Sequence, residues 1–519
     1  MVLPCHKRTM TQSGVPTRVR MGTAAAILAL ALISWAAGAA DPVSAEEPEG
    51  RWLAGDYHTH SLLSDGGWTT EEVALRAFVY GLDWFAATDH GGAFAHDRFG
   101  KPYPGPVPRW ITLEDESFPS VRRLREVYPR KEILLGFEWN VPGLEHANVV
   151  IAAEEPASLS AFEYMCDARD ADTSRERDLP KWNRTREDAL SCAAFLEGSY
   201  GGAAFLLPAH PSRLNRYGIA DLRALNDAAP NVMFGFEGIP GAQKSSARGG
   251  YRYVSPYRFD NDPYRTHGGV DLMAAKVGGV WDALLGEGRR FFLFANSDFH
   301  GKGFWPGEYA KSHTFVRGSG SRAVIAGMRS GNSFSVTGDL IDALSFTASA
   351  GDNVATMGET LRVERGARLE ISVAFRSPEF NNNGDAPRVD HVDLIAGRIS
   401  GKAKPGTRAY ERVGKPGARV VARIAAADWQ CEGRSCRARV DPGPVDGPMY
   451  FRLRGTNLPP STPGETDGEG NPLSDDEACG KGQTPPECNT KEKAYADLWF
   501  YTNPIFVETR DLHSTATRP

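Results

Sequence analysis

The sequence predicts an α/β domain followed by an all-β domain, behind a cleaved export signal. Three observations lead there. Up to about residue 338, apolar strand-like runs alternate with helical patterns. Beyond it, short alternating runs are separated by Gly, Pro and Asn turns. Residues 21–40 form one apolar stretch just after two arginines.

Arg18 and Arg20 precede "MGTAAAILALALISWAAGAA", and "VSA" before Glu46 has the small-residue spacing of a cleavage site. The most apolar part is shorter than the ~20 residues a bilayer-spanning helix needs. No Cys follows it to carry a lipid, and no later segment reads as a span. Residues 1–45 are expected to be removed, leaving a periplasmic or secreted protein with no membrane span. The chain's formal charge of −6 becomes −9 on loss of Lys7, Arg8, Arg18, Arg20 and Asp41. Long nucleic acid demands basic patches and is not expected as a partner. A small phosphorylated substrate remains compatible.

Cys5 leaves with the signal, and an even set remains: Cys166, Cys192, Cys431, Cys436, Cys479 and Cys488. In an exported chain these read as disulfides. Proximity pairs Cys431 with Cys436 and Cys479 with Cys488, leaving Cys166 with Cys192. A zinc cluster is the weaker reading, since there is no C-x-x-C and the loops are rich in Gly and Pro.

Residues 46–338 make the first domain. In "TTEEVALRAFVYGL", Thr69 and Glu72 have capping-box spacing, Val73, Ala77 and Tyr80 share a face, and Gly81 stops the helix. Strands alternating with such helices suggest a parallel barrel, whose reacting groups gather at the carboxyl ends of the strands. Residues 339–519 carry "ARLEISVAFRS", "HVDLIAG", "MYFRLRG" and "ADLWFYTNPIFV", a β-sandwich signature. Residues 458–493 are rich in Pro, Gly and acids and read as a long excursion.

The ends of the first domain's strands carry the chemistry. "WLAGDY" ends in His58 and His60, "LDWFAAT" in Asp89 and His90, "EILLGF" in Glu138, "GAAFLLPA" in His210, and "RFFLFANS" in Asp298 and His300. His146 instead opens its run, "HANVVIAA". Residues one apart on a strand point to one face. Each such group alone reads as a solvated strand end. Together they gather nitrogen and oxygen ligands, without thiolate, at one rim, which suits zinc, manganese or iron.

At this point the sequence resembles the polymerase and histidinol phosphatase (PHP) superfamily. The matching pieces are "HTHSLLSDG", "ATDHGG", "GFEWN" with "EHANVV", "PAHPSR" and "NSDFHG", in the family's order over residues 51–315. The resemblance implies a distorted seven-stranded (β/α)7 barrel and three divalent metals. By position, His58, His60, Glu138 and Asp298 would bind the first. Glu138 would bridge to a second, completed by His146 and His210. Asp65, His90 and His300 would bind the third; some relatives have His where this chain has Asp65, which leaves that ion's affinity and identity open. The tail resembles that of exported relatives with a C-terminal β-domain.

Two metals bridged by a carboxylate can share and acidify a water, and a third can hold substrate oxygens. Hydrolysis of small phosphate esters by attack of that hydroxide at phosphorus is therefore expected, with Glu138, Asp298 and His60 at its centre. Asp89 is expected either to orient a ligand imidazole or to cap a helix. Arg213 and Lys302 would clamp phosphate oxygens or remain solvated cations. Residues 251–271, rich in aromatics and arginines, form either a lid or a packed loop. His267 and His313 are expected to be structural. Metal-activated water also serves amides, lactones and phosphodiesters, and these stay open. So does a surface-binding protein with structural metals, although sites of three ligands leave positions open for water or substrate.

Overall fold

The computed structural model describes residues 50–170, 172, 177–241, 266–301, 303–415, 417–475 and 491–510. The signal expected at 1–45, Lys302, the Cys479–Cys488 pair and most of the 251–271 segment lie outside the described residues.

Arg51–Asp56 (β1), Trp84–Ala87 (β2) and Glu132–Asn140 (β3) pair in parallel, with Thr70–Val79 (α1) crossing between the first two. The predicted capping box starts α1: the Glu72 N–H donates to the Thr69 hydroxyl at 3.2 Å, and the Thr69 N–H donates to the Glu72 carboxylate at 2.9 Å. Val73, Ala74 and Ala77 are buried beneath the sheet. The sheet then changes sense. His146–Ile151 (β4) runs antiparallel to β3, and Ala204–Pro208 (β5) antiparallel to β4. Gly235–Pro240 (β6) and Phe292–Asn296 (β7) form a separate parallel pair. The Leu206 N–H donates to the Val232 carbonyl at 2.9 Å, and a parallel bridge joins Thr59 to Phe299. The α/β part is thus a mixed set of strands, not the uninterrupted parallel run that alternation with helices suggests.

Near residue 338, where the sequence changes character, the sheet runs on. Ala310–Val316 (β8) pairs with β1, Ser333–Thr337 (β9) pairs with β8, and β9 pairs with Trp499–Thr502 (β14). Beyond β14 the same sheet continues through Met449–Thr456 (β13) and Ile505–Arg510 (β15). Ala343–Ala350 (β10) and Glu370–Arg376 (β11) belong to a second sheet, while His391–Arg398 (β12) joins β13. The alternating burial of β11 is that of a half-buried strand. One apolar core spans both regions, from Trp84 and Phe137 to Phe451 and Phe500.

Cys166 is bonded to Cys192, and Cys431 to Cys436. The first bond ties Ala157–Cys166 to the helix Arg186–Tyr200 across 26 residues. Closing a loop of that length restricts the unfolded chain by about 3 kcal/mol. The Cys166→Ala, Cys192→Ala double variant is expected to lose that much stability in a denaturant titration, with Cys431–Cys436 intact.

His313 takes the structural role expected of it. Its ring stacks on Phe334, centroids 4.7 Å apart and 8° from parallel. Burial, helped by the Lys311 charge, pushes its pKa from 6.5 down to about 3. Between those values the unfolded chain binds a proton that the folded chain refuses, so stability falls as pH drops below 6.5. Allowing for the ring's partial exposure, His313→Phe should remove about 1–2 kcal/mol of that acid loss. Thermal melts of parent and variant from pH 7 to pH 4 check it. His267 bridges to Ser474, where the described start of the long excursion folds against the first domain.

Candidate metal centre

The strand ends meet because their intervening residues are pinned to neighbours. Thr59, between His58 and His60, donates its hydroxyl to the Ala86 carbonyl at 2.9 Å and its backbone N–H to the Thr88 hydroxyl at 2.9 Å. Phe299, between Asp298 and His300, is buried and bridges to Thr59, and the His60 N–H donates to the Phe299 carbonyl at 2.9 Å. Two x-by-x motifs therefore lie side by side, with His58, His60, Asp298 and His300 turned to one face. A second bridge sets His90 beside Glu138.

His146 opens its strand for a simple reason. Because β4 is antiparallel to β3, its first residue lies at the rim where β3 ends, with His146 opposite Asn140. His210 follows β5 at the same rim. Both His210 and Asp298 have positive φ, 30° and 47°. Such backbone is costly for non-glycine residues and gathers at functional sites.

Glu138 sits at the centre, fully buried. Its Oε1 lies 2.8 Å from His146 Nδ1, 2.8 Å from His210 Nε2 and 3.3 Å from His58 Nε2. Its Oε2 lies 2.7 Å from His90 Nδ1 and 3.4 Å from His60 Nε2. Asp298 Oδ1 is 3.0 Å from His58 Nε2 and 3.2 Å from His60 Nε2. Asp65, with its side chain 57% exposed, lies 3.3 Å from His300, 3.5 Å from His90 and 3.6 Å from His60. All the side chains expected to bind metal thus come together. The grouping differs from the expected division in four respects: His60 also borders the Asp65, His90 and His300 set, His90 also joins Glu138 and His146, His58 also joins Glu138 and His210, and Glu145 joins His146 and His210.

These groups suit cations better than one another. Among the described residues, no hydrogen bond reaches either Asp298 carboxylate oxygen or Glu138 Oε2, although all are buried. Burial favours a neutral Glu138, but the charges of His146, His90 and His58 hold it well below the usual carboxylate range. Asp298 is buried likewise, and His58 and His300 hold it low. Burial, with the charges of His300 and His90, pushes His60 down to about 4. The interior thus holds ionised carboxylates facing imidazole nitrogens, a donor set that divalent ions would satisfy.

Three further acids support the rim. Glu237, on β6, was not among the expected site residues. Its Oε1 lies 3.0 Å from His58 Nδ1, and its Oε2 accepts the His210 N–H at 2.7 Å. One buried carboxylate thus fixes the ring of His58 and the backbone of His210. The signal was present in "MFGFEG", an apolar run ending in an acid as "GFEW" does. Asp56 accepts the His58 N–H and the Ser297 N–H, both at 2.9 Å. Burial pushes its pKa up to about 7 against those hydrogen bonds. Glu145, also missed, holds Arg213 and lies 3.9 Å from His146.

Asp89 fits neither expected role. It caps no helix and touches no ligand imidazole. It accepts from the Ser61 N–H at 2.7 Å, the Ser61 hydroxyl at 2.8 Å and the Ser64 hydroxyl at 2.6 Å, and Ser64 Oγ lies 3.3 Å from His60 Nδ1. Asp89 therefore braces the turn after His60 and reaches that ring through one serine. Arg213 stands by the cluster, bonded to Glu145 and 3.4 Å from His146 Nδ1.

No protein-family model matches the chain, and no curated protein matches it. Among solved structures, it is similar to a two-domain protein of Bacteroides vulgatus described as containing a predicted PHP-like metal-dependent phosphoesterase. That likeness has 12% identity, covers 82% of this chain and 94% of that one, and has a TM-score of 0.35. A protein of Bifidobacterium adolescentis, a metal-dependent phosphoesterase by assignment only, shares 13% identity over 48% of this chain and 88% of its own, with a TM-score of 0.26. Both overlaps are loose, and neither fixes an activity.

Proposed function

We propose that the chain is an exported, metal-dependent phosphoesterase of the PHP kind that hydrolyses small phosphate esters. The observation that carries this reading is the convergence of His58, His60, Asp65, His90, Glu138, His146, His210, Asp298 and His300 around buried carboxylate oxygens that receive no hydrogen bond. Divalent ions held there, of zinc, manganese or iron, would supply the acidified water and the charge neutralisation that phosphate-ester hydrolysis needs.

The chain's own residues would divide the work. Glu138 presents its two oxygens to different rings, so one carboxylate would tie two cation positions. His58, His60 and Asp298 would complete one position, and His146 with His210 the other. Asp65, His90 and His300 would hold a third, at the exposed edge where substrate enters. Arg213 would hold an outer phosphate oxygen, its charge partly offset by Glu145. Lys302 would be a second such cation. Asp56, Asp89 and Glu237 would keep the ligand rings in place. The reaction forms a P–O bond to a water oxygen, breaks the bond to the leaving alcohol and delivers the water's proton to that alcohol. In this reading β1 to β7 close as a distorted (β/α)7 barrel.

Export is supported by the disulfides Cys166–Cys192 and Cys431–Cys436, since such bonds persist in oxidising compartments. Among the described residues, no helix is long and apolar enough to cross a membrane.

Protein of residues 46–519, supplied with Mn²⁺ or Zn²⁺, tests the function. It should hydrolyse aryl and alkyl phosphates, lose turnover to a chelator and be inhibited competitively by vanadate. Turnover of amides or lactones alone, insensitive to vanadate, would overturn it.

A further inference from the structure

Two indoles stand beside the metal centre without contributing to it. Trp68 closes the turn that carries Asp65: the Leu62 N–H donates to the Trp68 carbonyl at 2.7 Å, and the Gly67 N–H donates to the His300 carbonyl at 3.1 Å. The turn is thereby sewn to the strand end bearing His300. Gly301 has φ of 96°, and a side chain there would approach the Trp68 ring to 3.2 Å and the Gly67 backbone to 2.8 Å. Glycine is required at that place for the turn and the indole to close on it.

The Trp68 ring lies 5.3 Å from that of Trp305, tilted by 49°. Trp305 is held from its other sides. It stacks on Phe299 at 4.5 Å and 27°, and the Arg76 guanidinium lies 5.3 Å from its ring. Phe299 is the residue between Asp298 and His300, so the aromatic row begins inside the ligand motif and runs outward to Trp68. Unlike the interior Trp84, Trp139, Trp281 and Trp499, Trp68 is 39% exposed. An apolar residue just before the Thr69 cap has a local use as a staple onto the helix. That use calls for any bulky apolar side chain. It does not call for a second, braced indole between Trp68 and the ligand motif.

We propose that Trp68 and Trp305 form the subsite for the leaving group and select phosphate esters whose alcohol carries a planar aromatic ring. The proposal rests on the phosphoesterase reading above. An indole face stacks on a flat π-system, and a tilted second indole meets its edge, the two favoured aromatic geometries. Asp65, the most exposed of the candidate ligands, lies on the same turn and places the subsite at the open side of the centre.

The test compares kcat/KM for phenyl phosphate, glycerol phosphate and a hexose phosphate in the full-length parent, Trp68→Ala and Trp68→Phe. Stacking of one ring supports about a tenfold effect. The phenyl-to-glycerol ratio should fall about tenfold in Trp68→Ala, through KM, and return in Trp68→Phe. An unchanged ratio would overturn the subsite, even if both activities fall, because a loosened turn does not distinguish leaving groups. A hexose-to-glycerol ratio that falls as far as the phenyl one would overturn the aromatic class. Phenylphosphonate titration provides a readout apart from turnover: it should quench indole fluorescence saturably in the parent and about tenfold more weakly in Trp68→Ala, and methylphosphonate should not quench. Quenching of unchanged amplitude and affinity in Trp68→Ala would overturn the subsite. A parent that binds phenylphosphonate in this way but hydrolyses no phosphate ester would leave the subsite standing and remove the phosphoesterase reading.

Discussion

Glu138→Gln should cut phosphoesterase turnover by about 10²–10³-fold or more and strip the purified protein of most of its metal. The magnitude is that of removing one preorganised charge from a site built around it. Among the described residues, Glu138 is the one side chain within 3.4 Å of His58, His60, His90, His146 and His210 together. An amide of the same shape keeps one weak oxygen donor and turns an N–H₂ group toward imidazole nitrogens that would face a cation. The loss should appear in kcat at saturating metal and not only in metal affinity, since among the described residues no other carboxylate spans both halves of the cluster. Elemental analysis and steady-state kinetics on the same preparation check it, with circular dichroism as the control for folding. Full metal content with full turnover in Glu138→Gln would contradict the assignment.

Glu237→Gln should act differently, weakening metal binding by about 10–100-fold while leaving turnover recoverable with excess metal. Glu237 donates nothing to the centre directly. It holds His58 by Nδ1 at 3.0 Å and the His210 backbone at 2.7 Å, and it accepts from the Asn296 side chain at 3.0 Å. A carboxylate behind a ligand imidazole fixes its ring and raises its basicity, and a glutamine does the first of these but not the second. Metal titration by competition with a chromogenic chelator reads the affinity directly. Unchanged affinity with lowered turnover would make Glu237 a participant in the reaction instead of a positioning residue.

The candidate ligands were legible because their spacing is local. His58 with His60, and Asp298 with His300, are each one residue apart, and strand periodicity alone turns them to one face. The exception, His146, became intelligible only through the antiparallel pairing of β4 on β3, which no run of residues announces. Glu237 stayed hidden for a related reason. It meets His58 across 179 residues, and its apolar run resembles many that end in an unremarkable acid. Asp89 reads from the sequence as a polar group at a strand end, but its partners, Ser61 and Ser64, lie 28 and 25 residues back in sequence. Its bracing role depends on the packing of two strand ends.

The change of character near residue 338 is equally instructive. Periodicity does switch there from helical to alternating, yet β9 pairs with β14 some 160 residues onward, and the sheet crosses the switch unbroken. Periodicity reports which face of a strand is buried and says nothing of which strand it pairs with. The cysteine pairs followed from proximity for Cys431–Cys436 and by elimination for Cys166–Cys192, both present as bonds.

The decisive measurement is the metal content and position in purified, unchelated protein, read by elemental analysis and by anomalous diffraction at the metal's absorption edge. The account predicts about three divalent ions per chain. One should lie against each oxygen of Glu138, and one beside Asp65, His90 and His300. Protein that folds and turns over with no bound metal, or whose ions lie away from Glu138, would contradict it.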